Sequence, residues 1–388
     1  MQTARISGPL WTATLVLDRI FPLGVLGLWP HRTVRASVLR AQVEAILLAW
    51  GMSQEHVAIT VDHMLYADLH GVDSHGCSML LAYQRDVLGG FLTTTPTITV
   101  VRESPTTALI DGGGGLGHAP ADMAMKLAIA KCRDTGLGAV AVRHSGHFGA
   151  AGAYVSMAST AGFIGIATTS THAPAVVPTF GAEARLGTNP IAFAAPADRN
   201  PPFVLDMATS TATIGRVTMA WREGRSIPVG WALDPRGKPV TSGRLAARHR
   251  RLTPLGSSRE MGGHKGYGLA AAVEILSSVL PGLHPRGSVN GRARAGHFFL
   301  AIDPALFRTE GTFNADLDVL IDSLHSCPPM SRDQPVLVAG DPEHATAAER
   351  RRTGIPLSRS VVEDIRTVAL ASDVPFLLDV QRDAGTPA

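Results

Sequence analysis

The sequence predicts a mixed α/β protein of the ordinary globular kind, and three observations carry that expectation. Apolar residues recur at three- and four-residue spacing near the start of the chain, as on one face of a helix. Short β-branched runs bounded by proline and glycine then alternate with helical runs through the middle. The 388 residues, 45% hydrophobic and 17% charged, are enough for two or three domains with cores of their own.

The elements follow in order. "LWTATLVLDRIFPLGVLGLWP" (10–30) is apolar, but Asp18, Arg19 and Pro22 interrupt it, and neither remaining run approaches the roughly 20 residues of a membrane span. It has no basic leader and no small-residue cleavage site, so residues 1–33 read as an extension, disordered or not native. From Ser37, the positions Leu39, Val43, Ile46, Leu47 and Trp50 mark a helix that Gly51 closes. Ser53 caps a second helix to about Leu69, which delivers the chain to the loop "GVDSHG". A third helix is expected near 78–88. "TPTITVVRE" and "TTALIDG" read as strands, followed by a helix at 120–134, the strand "GAVAVRH", a small-residue helix near 150–161 and the strand "FIGIATTS". The Arg-rich stretch 222–262 reads as a long surface loop, and Arg244, Arg248, Arg250 and Arg251 within it as solvated charge. "GYGLAAAVEILSSVLPG" restores an apolar helix, "GHFFLAIDPALF" a late strand and "ATAAERRR" a charged helix.

A formal charge of +3 is too small for nucleic acid to be the main partner. Cys77, Cys132 and Cys327 stand apart with no CxxC pair, which favours free buried thiols in a reducing, cytoplasmic setting over a disulfide framework or a zinc site. No metal is expected, and no membrane.

Gly112, Gly114 and Gly117 satisfy G-x-G-x-x-G between a strand and a helix, the context of a dinucleotide-binding loop. The acidic residue wanted at the end of the next strand is absent, and Arg143 stands there instead, which suits a 2′-phosphate. A tight turn that permits close packing accounts for the run equally well. Two glycine-flanked histidine loops are richer in chemistry. "DSHG" holds Ser74 and His75, and "RHSGHFGAAG" holds His144 and His147, with small residues opening the next helix so that a ligand can approach its backbone. Asp206 in "FVLDMATST" offers a carboxylate to a histidine or a ribose, or caps a helix; Lys265 among the glycines of "GGHKGYG" offers a cation. Ser74 beside His75 also raises a hydrolase, but there is no G-x-S-x-G elbow.

Together "ADLHGVDSHG", "VRHSGHFGAAG", "GFIGIATTS", "LGTNPIAFAAP", "LDMATS" and "GGHKGYGLA" resemble, in order over about residues 34–380, the second type of malate/L-lactate dehydrogenase family. That family also includes ureidoglycolate, sulfolactate and 2,3-diketogulonate oxidoreductases and cyclic-imine (piperideine/pyrroline-carboxylate) reductases. The resemblance implies a non-Rossmann α/β fold. A helical substrate and dimerisation domain would come from both chain ends (34–110 with 305–388), and a central nicotinamide-binding domain (111–304) would carry a mainly antiparallel sheet. It implies a homodimer using NAD or NADP on a small-molecule substrate. Against the cofactor it places His147, Phe148, Gly149, Ala150 and Ala151, then Thr171, Asp206, Met207, Ala208 and Lys265. Ser74 and His75 match a Ser-His pair relayed to an aspartate, here Asp206, and Tyr83 matches a substrate-side tyrosine. The implied reaction is reversible hydride transfer between a 2-hydroxy acid and its 2-oxo acid, with His147 as acid/base and His75 and Ser74 polarising or relaying.

Two departures stand out. Met79 occupies the place of an arginine that grips the substrate carboxylate in the family, and the loop "TTSTHAPAVVP" is one residue longer than usual, which shifts Thr171 by a position. The family's cyclic-imine reductases stand as one alternative, and a catalytically silent cofactor-binding relative, suggested by the missing arginine and the unusual N-terminus, as another.

Overall fold

The computed structural model describes residues 32–171, 173–283 and 295–379. Residues 1–31, most of the expected extension, lie outside that range. Arg32 and Thr33 do not belong to an extension: they open strand β1 (Arg32–Val34). Helices α1 (Ala36–Ala49), α2 (Gln54–Leu69) and α3 (Leu80–Leu88) follow, the last after a 3-10 turn at Cys77–Met79. As the sequence predicts, the Ser53 hydroxyl starts α2 by accepting from the His56 N–H. The middle runs through β2 (Thr99–Glu103), β3 (Thr107–Asp111), α4 (His118–Thr135), β4 (Leu137–Ser145), α5 (Ala151–Thr160), β5 (Ile164–Thr169), β6 (Ile191–Ala195) and β7 (Phe203–Met207). After α6 (Ile214–Arg222), β8 (Ala232–Leu233), β9 (Pro239–Val240) and α7 (Gly243–His249) come α8 (Gly263–Glu274) and β10 (Ala295–Ile302). The chain ends on α9 (Phe313–His325), α10 (Asp341–Thr353), β11 (Ile355–Leu357) and α11 (Arg359–Ala371). No helix among the described residues is long and apolar enough to cross a membrane.

The seven-stranded sheet has the order β2-β3-β4-β10-β5-β6-β7, and among its pairs only β3 with β4 is parallel. A parallel pair needs a crossover, and here α4 supplies it, entered through the glycine run. Ile110, Met125, Val140, Tyr154 and Phe299 fill the core between the sheet and helices α4 and α5. A second core is helical and recruits both chain ends: Leu39, Ile46, Val61, Leu80 and Tyr83 pack with Ile355, Ile365 and Val368. The β1–β11 pair ties those ends together. The site lies between these two cores.

The long-loop expectation for 222–262 is wrong. Val217, Ile227, Ala232, Val240, Ala246 and Leu252 bury together with Val176 as a third, small core around α6, α7 and the β8–β9 hairpin. These apolar residues stand singly at irregular spacing and so show no period. Arg244, Arg248 and Arg250 are exposed as expected, but on or just after a helix whose Gly243 and Ala246 face inward.

Candidate active site

The "GVDSHG" loop is held from two directions. At the end of α2, buried Asp68 accepts from the Cys77 N–H at 2.9 Å, and a Cβ at Gly76 would fall 2.0 Å from its Oδ1, so only glycine fits there. Burial pushes the Asp68 carboxyl up to about 7, against the pull of the Cys77 N–H. From α10, the Arg350 guanidinium pairs with Asp73 and donates to the Asp68 carbonyl at 2.5 Å. In the loop so fixed, the Ser74 hydroxyl and His75 Nδ1 share a 2.8 Å hydrogen bond. Burial lowers the His75 pKa and keeps the imidazole neutral near pH 7.

The glycine run seats the second histidine loop. The N–H groups of Gly112, Gly114 and Gly117 donate to the carbonyls of Arg143, His144 and His147 at 2.8, 2.7 and 2.9 Å. These are the three glycines of the G-x-G-x-x-G match, and the amides a phosphate loop would offer are spent on protein carbonyls. Arg143, the candidate for a 2′-phosphate, is likewise committed, its Nε donating to Asp111 at 3.1 Å, and Asp111 also binds His144 Nδ1 at 2.9 Å. A Cβ at Gly117 would meet the Gly146 carbonyl oxygen at 2.4 Å. Gly117→Ala is therefore expected to cost about 1–3 kcal/mol of stability; an unchanged urea midpoint would show that the two loops are not so tightly apposed.

His147 then lies beside Tyr83. Its Nδ1 is 2.7 Å from the Tyr83 hydroxyl and 3.3 Å from the Gly149 nitrogen. An amide N–H only donates, so Nδ1 is the acceptor, the Tyr83 O–H donates to it, and the ring proton sits on Nε2. Burial raises the Tyr83 pKa well above the ordinary phenol range, so the phenol keeps its proton. The His75 and His147 rings stand 5.3 Å apart. Ser74, His75, Tyr83 and His147, far apart in sequence, thus share one place.

The other expected residues divide. Phe148 is buried, stacked on His297 at 4.5 Å and on Tyr154 at 4.9 Å, so its ring belongs to the core and only its backbone remains for a ligand. Gly149, Ala150 and Ala151 form a small-residue wall that leads into α5. Asp206 does not bond to Ser74 or His75; its Oδ2 accepts from the Gly152 N–H at 2.7 Å, at the start of α5. Desolvation pushes its pKa up to about 6, against the Gly152 and Ala151 amides. Because the residue is exposed, that desolvation is partial, and the carboxylate is ionised at neutral pH.

Met207, Ala208 and Lys265 share a neighbourhood. The Leu255 N–H donates to the Thr209 carbonyl at 2.9 Å, and a Cβ at Gly266 would lie 2.2 Å from the Leu255 carbonyl oxygen, so the first turn of α8 sits against the segment after Met207. Exposed Lys265 has no ion-pair partner among the described residues. Thr171 flanks Gly187, where a built Cβ would fall 1.9 Å from Thr171 Oγ1 and 2.6 Å from Asn189 Oδ1. Asn189, within "LGTNPIAFAAP", donates its side-chain amide to the Ala270 carbonyl and to Glu274, while its buried Oδ1 has no partner among the described residues.

Sequence reasoning passed over two fully buried histidines. His297 bridges Ser145 and Thr169 at 2.8 and 2.7 Å, and burial lowers its pKa to about 3, so it is a neutral cross-strand tie beneath Phe148. His118, the first residue of α4, lies fully buried beside Tyr83.

The family model for malate/L-lactate dehydrogenase matches residues 34–366. A malate dehydrogenase of Pyrococcus horikoshii is 40% identical over 329 residues, covering 84% of this chain and 91% of the relative. The crystal structure of malate dehydrogenase from Entamoeba histolytica superposes with a TM-score of 0.84 at 32% identity, over 89% of this chain and 99% of that one. A delta1-piperideine-2-carboxylate reductase from Pseudomonas syringae gives 0.77 at 26% identity, over 87% and 100%. With the paired histidine loops, the mainly antiparallel sheet and the extent of these matches, the chain belongs to the malate/L-lactate dehydrogenase family of oxidoreductases, and its malate, sulfolactate and ureidoglycolate relatives are dehydrogenases acting on CH–OH groups.

Proposed function

We propose that the protein moves a hydride reversibly between NAD or NADP and a small 2-hydroxy acid, with His147 as the acid/base. The observation that carries this reading is the fixed tautomer of His147, whose Nδ1 accepts from both Tyr83 and Gly149, so that Nε2–H is the proton to be transferred. Ser74 and the neutral His75 stand beside it, the two imidazole rings 5.3 Å apart, suited to polarising the substrate oxygen.

The residues present fit a nicotinamide dinucleotide. Lys265 offers an unpaired ammonium for a phosphate, Asp206 an ionised carboxylate for ribose hydroxyls and Asn189 Oδ1 an unused buried acceptor. The wall Gly149 to Ala151 lets a flat ring approach the backbone, and Gly152, next along it, holds Asp206. When bound, the nicotinamide supplies or accepts the hydride.

A second reading, a cyclic-imine reductase, is supported by the likeness to the delta1-piperideine-2-carboxylate reductase, and Met79, a thioether with no cation, leaves the carboxylate of either substrate without the grip an arginine would give. The protein is further read as a homodimer, since α9 exposes Val319, Leu320 and Leu324 on a face that a second copy would cover, and as cytoplasmic, its cysteines being free. Titration with NADH and NADPH tests the main reading, and absence of binding at millimolar concentration would refute it. Assays of malate and lactate against a cyclic imine then separate the two reactions, and bound cofactor without turnover on any of them would mark a silent relative.

A further inference from the structure

We propose that His118, His63 and Asp122 form a proton conduit that connects Nδ1 of His147, through the Tyr83 hydroxyl, to solvent at Lys126. The inference rests on His147 being the acid/base.

His118, Asp122 and Lys126 stand at four-residue spacing on α4 and so share one face. At the outer end the Lys126 ammonium, its side chain 64% exposed, pairs with Asp122 Oδ2 at 2.7 Å. Asp122 Oδ1 lies 3.2 Å from His63 Nε2 on α2. The His63 ring is stacked 6.4 Å from that of His118, which meets the Tyr83 ring edge-on at 6.0 Å. The Tyr83 O–H reaches His147 Nδ1 at 2.7 Å.

The middle link demands an explanation. His118 is fully buried, and neither ring nitrogen has a hydrogen-bond partner among the described residues. An unsatisfied buried polar group costs about 1–3 kcal/mol, so a residue needed only for packing would be apolar. Its Nε2 points toward Gly149, where a Cβ would sit 3.0 Å away, beside the amide that holds His147. The conduit requires that an ordered water or a small ring rotation close the two gaps at His118. Burial, then the neighbouring histidines, pushes the His118 pKa well down. A neutral imidazole still passes a proton, taking one on one nitrogen as it releases another from the other.

The need for the conduit follows from the tautomer. If neutral His147 gave up its Nε2 proton and received none at Nδ1, it would become an imidazolate. In the reducing direction the substrate oxygen takes the Nε2 proton, Nδ1 takes the Tyr83 proton, and Tyr83 takes one from His118. His118 takes one from His63, which is resupplied from solvent at Asp122. Each group gives one proton and takes one, which leaves the His147, His118 and His63 rings in the opposite tautomer. They return by ring rotation or by exchange with solvent before the next reduction. No electrons move along the row, and oxidation runs it backwards from that opposite tautomer.

The full chain carrying His118→Ala is expected to lose about tenfold or more in kcat, with NADH affinity unchanged and a larger solvent deuterium isotope effect. Millimolar imidazole should restore turnover several-fold, whereas thiophene, of similar shape with no N–H, should not. Asp122→Asn, nearer the surface, should raise the isotope effect in the same direction and serves if His118→Ala fails to fold. Unchanged kcat and isotope effect in the folded variants, with His147→Asn inactive, would overturn the conduit and leave the reading of the site standing. Activity retained in His147→Asn would refute that reading first.

Discussion

Replacing His147 with asparagine is expected to lower kcat by about 10²–10⁴-fold, the usual worth of a positioned acid/base, with little change in NADH affinity. Asparagine is the informative substitution because its Oδ1 can still accept from Tyr83 and Gly149, the two donors that fix the imidazole. The loop therefore keeps its anchor, and what is lost is the transferable Nε2 proton. The loss corresponds to about 3–5 kcal/mol of transition-state stabilisation at 1.36 kcal/mol per decade. The same change at His75 should be milder, because its Nδ1 is engaged by Ser74 and its ring assists the transfer without carrying it. If His75→Asn abolished turnover and His147→Asn left it within tenfold of the parent, the roles of the two histidines would have to be exchanged.

Helices α1 and α2 and strands β3 to β5 were legible because each carries its own period or its own β-branched run, and the Ser53 cap is a local signal. Strands β1 and β11, and the placing of β10 between β4 and β5, depend on partners far away in sequence, which no window of residues contains. Ser74, His75 and His147 could be singled out by their glycine-flanked loops, and Tyr83 only through the family resemblance. The glycine run shows the limit most clearly. Its spacing gave correctly a turn between a strand and a helix, but the destination of its amides, the carbonyls of 143, 144 and 147, is a tertiary fact. His118 and Asp68 were invisible for a related reason. A buried polar residue on a helix looks like any other polar position until its neighbours are known.

Introducing arginine at Met79 is expected to lower KM for a simple 2-oxo acid by tenfold or more, with kcat changed much less. Met79 follows the Ser74–His75 pair by one turn and leads into α3, so a side chain there starts close to the substrate-facing groups. It is only partly buried, packed at the edge of the helical core, which leaves a longer side chain a route to the open side. A guanidinium there would make a charge-assisted, bidentate pair with the substrate carboxylate, worth about 1.5–3 kcal/mol and hence about 10–150-fold in affinity. The gain should appear with pyruvate or oxaloacetate and be absent with their methyl esters, which separates ion pairing from a general change in the loop. If Met79→Arg stays folded, binds NADH as before and shows no preference for acid over ester, the position does not face the substrate, and the carboxylate is gripped elsewhere.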